Sequence, residues 1–124
     1  MKKILLMLFV ILQFSCNKVS HNKLGIDNAK KELESALKDT TKISILDNNE
    51  LLIKEENTAI KVAEPILFEI YGRSKIEGEK PYEAYLIKNY WVINGTVDRY
   101  SFGGAFSIII DARNSKVINV IHYK

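Results

Sequence analysis

The sequence contains few of the residues that build disulfide bridges and metal sites. Its 124 residues include one cysteine, Cys16, and two histidines, His21 and His122. A single cysteine excludes an internal disulfide, so the fold must depend on side-chain packing. A zinc site needs about four converging His, Cys or carboxylate ligands, and no spacing in the sequence predicts one. We therefore expect no metal and no other cofactor.

The sequence also lacks a strong excess of either charge. Lysine and arginine number 18, aspartate and glutamate 15, and the formal net charge is +3. A protein that binds nucleic acid is expected to have a strongly basic face. The near balance therefore argues against a nucleic-acid partner. A chain of 124 residues is long enough for one folded domain but not for two.

No apolar run in the sequence reaches the roughly 20 residues that a membrane span needs. The longest run, residues 4–12, follows two lysines and ends shortly before Cys16. Residues 1–16 resemble a bacterial lipoprotein signal, in which the cysteine is lipidated and becomes the new N-terminus. This predicts an exported protein that a lipid on Cys16 anchors to a membrane of the cell envelope. Two other interpretations fit: an ordinary signal peptide with an incidental cysteine, or the N-terminal core helix of a cytoplasmic protein.

The segment after this run is predicted to contain a helix between polar stretches. Residues 17–25 are polar and form an expected tether. Apolar side chains then recur at three- and four-residue steps through residues 26–38, which indicates an amphipathic helix. Residues 39–50 are a connector, in which residues 43–46 could form a short strand.

The main helix is predicted over residues 55–71, because apolar residues again follow a helical spacing there. Gly72 follows as a C-terminal stop. Pro65 lies inside the pattern and removes one backbone hydrogen bond, so we expect a kink or two helical pieces. Residues 73–79 are predicted to be a charged loop with Ile76 as its only apolar anchor.

The region 80–124 has the composition of an antiparallel sheet. Short runs rich in Val, Ile, Tyr and Phe alternate with Asn, Ser and Gly, which is typical of a meander. The runs predict four strands, over residues 82–87, 90–97, 105–112 and 116–123. One face of such a sheet needs a cover, and the main helix can supply it. The predicted fold class is therefore α+β: a curved four-stranded antiparallel sheet packed on a kinked helix, plus the N-terminal helix.

Alternation along the strands divides the side chains between two faces. Trp91 is expected in the core. The opposite face has Tyr, Asn, Ser and Asp among aliphatic side chains, a composition typical of a partly hydrated face that binds a partner. The residues assigned to the helix-packed side are Phe106, Ile108, Ile110, Ile118 and Val120.

Two residues are candidates for acid–base chemistry. Asp111 could be a general base in a pocket, but it also begins a predicted turn, where aspartate is common. His122 lies near the end of the last strand, where a single histidine is more often packed and hydrogen-bonded. We expect a structural role for both and therefore no catalytic residue.

Exposed contacts with a partner are predicted among polar and aromatic residues beside the sheet. Tyrosine and tryptophan are favoured as anchors of protein interfaces. The candidate partner-binding residues are Tyr90, Asp98, Arg99 and Tyr100.

An ordered series of short motifs runs through residues 58–124. The series resembles the immunity proteins with a nuclear transport factor 2-like fold from bacterial polymorphic toxin systems. The resemblance covers residues 51–124 and implies a small α+β domain of the nuclear transport factor 2-like or cystatin-like type. The motifs are TAIKVAE (58–64), IYG (70–72), KPY (80–82), WVINGT (91–96), GGAF (103–106), ID (110–111) and VIHYK (120–124).

The resemblance also implies a function. Such a protein binds and neutralises a cognate toxin domain and performs no chemistry of its own. The expected partners are therefore a toxin domain and, through the lipid on Cys16, a membrane. Two alternatives remain: a cone-shaped ligand-binding or isomerase-like protein that uses Asp111 or His122, and an envelope lipoprotein with a structural role.

Overall fold

The computed structural model describes residues 21–38, 46 and 48–124. Its contacts divide the chain into two units, Met1–Lys42 and Ile43–Lys124. The predicted signal segment, Cys16 and most of the candidate strand at 43–46 lie outside the described residues.

The first unit contains helix α1, Gly25–Lys38, which confirms the predicted helix to within one residue. None of its 14 residues is buried. Its apolar side chains Ile26, Leu33 and Leu37 are all exposed. Glu34 and Lys38 form a surface ion pair with an N–O distance of 3.6 Å, which contributes only tenths of a kcal/mol to the helix.

The second unit combines two helices with a four-stranded sheet. The strands follow one another in space in the order β1-β2-β3-β4, and each neighbouring pair is antiparallel. This confirms the predicted meander. The elements are α2 (Glu56–Tyr71), α3 (Arg73–Glu77), β1 (Glu83–Ile87), β2 (Tyr90–Asn94), β3 (Phe106–Asp111) and β4 (Val117–His122).

The core lies between α2 and one face of the sheet. Ala59 and Ala63 are small, so α2 can approach the sheet closely, and Leu67 fills the space one turn further on. The indole N–H of Trp91 donates to the backbone oxygen of Ile53 at 2.9 Å. This bond satisfies a buried polar group and confirms that Trp91 is in the core. The buried apolar residues of the strands are Trp91, Ile93, Phe106, Ile108 and Ile110.

Helix α2 is continuous through Pro65, so the prediction of two helical pieces is wrong. Pro65 lies on the exposed side of the helix. The carbonyl of Lys61, which loses its hydrogen bond to residue 65, can therefore be hydrated, and the proline ring displaces no core side chain. Gly72, with φ of 89°, ends the helix as predicted.

The segment after Gly72 is a short helix, α3, and not the predicted loop. One helical turn places Ile76 in the core, where it is fully buried. The single apolar anchor in a charged run was therefore identified correctly, but the backbone conformation around it was not. A five-residue segment is too short for an apolar period to be recognised in the sequence.

Strand β2 ends at Asn94, three residues before its predicted end. Gly95 still donates to the carbonyl of Phe106 at 3.0 Å, but Thr96 donates to the carbonyl of Glu79 at 2.7 Å. The chain therefore leaves the sheet at this point and binds the segment that precedes β1.

Ile118 was assigned to the helix-packed side, and this assignment is wrong. Ile108 pairs with Val120 and Ile109 with Asn119, whereas Ile110 pairs with Val117. Residue 118 is the extra residue of a β-bulge, so strict alternation fails across it. Val117 and Val120 both pack against the core, and Ile118 is 49% exposed.

Candidate partner-binding surface

The side of the sheet that faces away from α2 is termed the open face. Cross-strand pairs share a face, so the pairings Tyr85–Val92 and Val92–Ile109 define it. Its apolar members come from all four strands. They are Tyr85, Ile87, Tyr90, Val92, Ile109, Ile118 and Ile121.

The open face is more apolar than the sequence suggested. Ile87, Tyr85, Ile118 and Ile121 are 55%, 51%, 49% and 40% exposed. Two of the polar residues expected to hydrate this face, Ser107 and Asp111, are buried, whereas Asn119 is exposed. Contiguous apolar side chains on a sheet surface are typical of an interaction site. A partner that binds this face would therefore contact aliphatic side chains more than polar ones.

A depression of about 380 Å³ lies at one end of the open face. Five of its six lining residues are aliphatic or aromatic, and the sixth is Lys88. The chain reverses direction at Lys88, which adopts a φ of 55° between β1 and β2. The lining residues are Ile87, Lys88, Tyr90, Val92, Ile109 and Ile118.

An ion pair positions one wall of this depression. The Asp111 carboxylate accepts from Arg113 Nε at 2.9 Å and from Nη2 at 2.7 Å. Arg113 Nη2 also donates to the Tyr90 hydroxyl at 3.4 Å, and the guanidinium lies 5.6 Å from the Tyr90 ring centroid. Arg113 therefore fixes the orientation of Tyr90, one of the predicted partner-binding residues.

Asp111 begins the turn between β3 and β4, as predicted. Its carbonyl accepts from the backbone N–H of Ser115 at 2.9 Å, and its carboxylate accepts from the backbone N–H of Arg113. Hydrogen bonds from the Arg113 side chain lower the pKa of Asp111 to about 2. A carboxylate stabilised in this way is a poor general base.

His122 is packed and hydrogen-bonded, also as predicted. Its Nε2 lies 2.7 Å from Glu79 Oε1, and its Nδ1 lies 2.8 Å from the carbonyl of Tyr123. The Tyr71 ring centroid is 5.4 Å away. Glu79 was missed in the sequence, because a glutamate in a charged run has no feature that separates it from solvated neighbours.

Asp111 and His122 do not form one site. Asp111 pairs with Tyr90 on the open face, at the beginning of β2. His122 pairs with Phe106 on the core face, beside the opposite end of β2. No single small molecule can contact both carboxylate and imidazole through the sheet.

The other predicted partner-binding residues lie in the connection between β2 and β3. Asp98 Oδ1 accepts from the backbone N–H of Tyr100 at 3.0 Å, which orders a turn there. Tyr100 is 88% exposed, and Phe102, which the sequence did not single out, is fully exposed. Asp98, Arg99 and Tyr100 are thus brought together, but Tyr90 lies at the opposite end of β2.

A larger depression, of about 640 Å³, lies beside α2. Two of its charged groups pair with each other, since Lys80 Nζ is 3.1 Å from Glu64 Oε1, and the Tyr82 hydroxyl donates to Glu64 at 3.2 Å. Burial, together with Glu64, raises the pKa of Tyr82. We regard the open face as the better candidate for a binding surface despite its smaller depression, because its apolar side chains are exposed to solvent.

Two kinds of feature are absent from the part of the chain that the structure describes. Within residues 21–38, 46 and 48–124, no three His, Cys, Asp or Glu side chains converge as metal ligands would. In the same part of the chain, no helix is long and apolar enough to cross a membrane.

Residues 58–124 match the sequence model for NTF2 fold immunity proteins. The chain belongs to this family. The match begins in α2 and includes α3 and all four strands, so it confirms the resemblance found in the sequence motifs. The observed α+β fold, in which α2 packs on one side of an open antiparallel sheet, is consistent with an NTF2-like fold.

Two curated members of the Escherichia coli K12 proteome are similar to this immunity-family chain. The uncharacterized protein YhhH is 34% identical over 74 residues, and the uncharacterized protein YbbC is 37% identical over 73 residues. The alignments cover 59% and 58% of this chain, and 58% and 60% of the relatives. The chain therefore spans about three-fifths of the length of these relatives. No solved structure gives a significant match.

Proposed function

We propose that this chain binds a cognate bacterial toxin domain and neutralises it without chemistry of its own. The observation that carries the proposal is membership of an immunity protein family over residues 58–124. The exposed apolar side chains of the open face support it, because an inhibitory protein needs a surface that a partner can bury.

The arrangement of titratable groups also favours binding over catalysis. An acid–base pair has to meet at one substrate, but Asp111 and His122 lie on opposite faces of the sheet. Each is occupied by a structural partner: Asp111 by Arg113, and His122 by Glu79. The ligand-binding or isomerase-like alternative therefore gains no support from the geometry.

The proposal is tested by co-expression with the toxin domain encoded by the adjacent gene. The expected result is that the whole chain restores growth and co-purifies with the toxin domain. The double variant Asp111→Asn/His122→Gln should bind more weakly, because Asp111 orders Arg113 and Tyr90, but it should still restore growth when it is over-expressed, because neither residue performs chemistry. Failure of the wild-type chain to bind or protect, or the lack of any adjacent toxin gene, would remove the main support.

We propose further that the protein is exported and anchored to an envelope membrane by a lipid on Cys16. The support is the basic and apolar pattern of residues 1–16. Mass spectrometry of the mature protein should find an N-terminal, lipid-modified Cys16. An unmodified N-terminus at any other residue would exclude the anchor, and the toxin would then be met elsewhere.

A further inference from the structure

We propose that the depression at the Lys88 end of the open face receives an apolar side chain of the toxin domain that is flanked by carboxylates. This inference rests on the proposed function and specifies the surface and the chemistry of the contact. The first argument is shape. The depression is lined by Ile87, Val92, Ile109 and Ile118 and is large enough, at about 380 Å³, for one or two side chains.

The second argument is rigidity. Hot spots of protein interfaces are pockets whose walls are already ordered before the partner arrives. Here Tyr90 is held by Arg113, which is itself held by two hydrogen bonds to Asp111. The floor is formed by the two central strands of the sheet, β2 and β3. Little conformational entropy would therefore be lost in this site when a side chain of the partner binds.

The third argument is charge. Lys88 lines the depression, and Lys116 is exposed at the start of β4, beside the same turn as Arg113. Neither lysine forms an ion pair with any residue that the structure describes. Asp111, which pairs with Tyr90 at this end of β2, is neutralised by Arg113. The two lysines are therefore available to pair with carboxylates on the partner.

The open face is polarised along its length. Glu83 lies at the other end of β1, where it accepts from the Tyr85 hydroxyl at 3.3 Å. An acidic partner is thus favoured at the Lys88 end and disfavoured at the Glu83 end. Charges of opposite sign at the two ends of one apolar surface fix the orientation of a docked partner more than its affinity.

The test measures the affinity of the whole chain for the purified, catalytically inactivated toxin domain of the adjacent gene. The apolar variants are Ile118→Glu and Ile87→Glu, and the matched control is Ile70→Glu. Ile70 lies on α2 and is 53% exposed, against 49% for Ile118 and 55% for Ile87. We expect each open-face variant to weaken binding at least about 30-fold, and the control by less than about 3-fold.

Charge reversal provides the second arm. Lys116→Glu should weaken binding about 10-fold and reduce its dependence on salt. The control is Lys61→Glu. Lys61 is an exposed lysine on α2, and its reversal should change neither the affinity nor the salt dependence of binding. Circular dichroism and thermal melting of every variant ensure that weakened binding does not come from unfolding.

The outcomes separate this inference from the proposed function. If the wild-type chain binds but both open-face variants bind equally well, the surface is wrong and the immunity function stands. Loss of binding in Tyr100→Ser or Phe102→Ser alone would assign the contact to the β2–β3 connection instead. If sedimentation shows that Ile118→Glu converts a dimer to a monomer, the face binds a second copy and the inference is overturned. If the wild-type chain does not bind at all, the proposed function fails first.

Discussion

Glu79 connects the segment before β1 to the ends of the other three strands through its buried side chain and its backbone carbonyl. It is 6% exposed and lies between α3 and β1. Oε2 accepts from the backbone N–H of Phe106 at 2.8 Å, and Oε1 lies 2.7 Å from His122 Nε2. Its carbonyl accepts from the N–H of Thr96. One residue therefore ties the segment before β1 to the ends of β2, β3 and β4.

Replacement of Glu79 is expected to be costly. Glu79→Ala leaves the Phe106 N–H and the His122 ring without their acceptor, and should lower the free energy of unfolding by about 3 kcal/mol. Glu79→Gln keeps one acceptor oxygen and should cost less. The control Glu77→Ala breaks only the surface pair with Arg73 and should cost about 0.5 kcal/mol or less. Urea unfolding followed by the fluorescence of Trp91, the only tryptophan, measures all three. Equal stability of the Glu79→Ala and Glu77→Ala variants would contradict this role.

Asp111 makes the stability depend on pH in the acid range. Its pKa falls from 3.8 to about 2 because Arg113 stabilises the carboxylate in the folded chain. A lowered folded-state pKa means that the stabilisation is present above about pH 4 and is lost as the pH falls to about 2. The difference in unfolding free energy between wild type and Asp111→Asn should therefore shrink across that window. A difference that stays constant from pH 6 to about 2 would show that the ion pair contributes nothing.

At the scale of elements, the bulge in β4 decides which residues stabilise the fold. Val120 packs against the core, but Ile118 is on the open face. A regular strand would have placed both on the same side, because alternate residues share a face. The extra residue moves Ile118 to the open face and leaves Val117 in its place on the core side.

Alanine substitutions can verify the bulge directly. Val120→Ala removes partly buried methyl groups that pack against the core and should lower the free energy of unfolding by about 1 kcal/mol. Ile118→Ala removes a larger but exposed group and should change it by less than about 0.5 kcal/mol. The measurement is urea unfolding of both variants under the same conditions. A larger loss for Ile118→Ala would mean that β4 has regular alternation.

The accuracy of the sequence predictions depended on the length of each pattern. The apolar period of α2 extends over 16 residues and the strands alternate over five or six, so their positions were predictable to within a few residues. Helix α3 has one buried residue, Ile76, and hence no period. The bulge at Ile118 depends on pairing with β3, which local sequence does not encode.

The sequence predicted which face of the sheet Tyr90 and Asp111 lie on, but not which other residues line the candidate site. Alternation placed Tyr90 and Asp111 on the face opposite the helix, and this is where the structure has them. The sequence could not reveal that Arg113 pairs with Asp111, since that pairing depends on the geometry of a turn. The importance of Ile118 and the separation of Tyr90 from the Asp98–Tyr100 turn emerged only from strand register.

At the scale of the whole molecule, the two sides of the sheet in the second unit differ in burial. The core side is closed by α2 and contains the buried aliphatic and aromatic residues. The open face exposes apolar side chains around a depression whose lining includes Lys88. Such an arrangement suits a protein in which one face of the sheet is packed for stability and the other is available to a partner.

A titration of the toxin domain's activity with the purified whole chain tests the proposed immunity function most directly. A binding inhibitor abolishes activity when one chain is present per toxin domain, and it co-elutes as a stoichiometric complex of micromolar or tighter affinity, with Kd about 1 μM or lower. The Asp111→Asn/His122→Gln variant should reach the same end point when it is added in excess, because neither residue performs chemistry. Neutralisation by far fewer chains than toxin domains, or no loss of activity at an excess of chain, would contradict it.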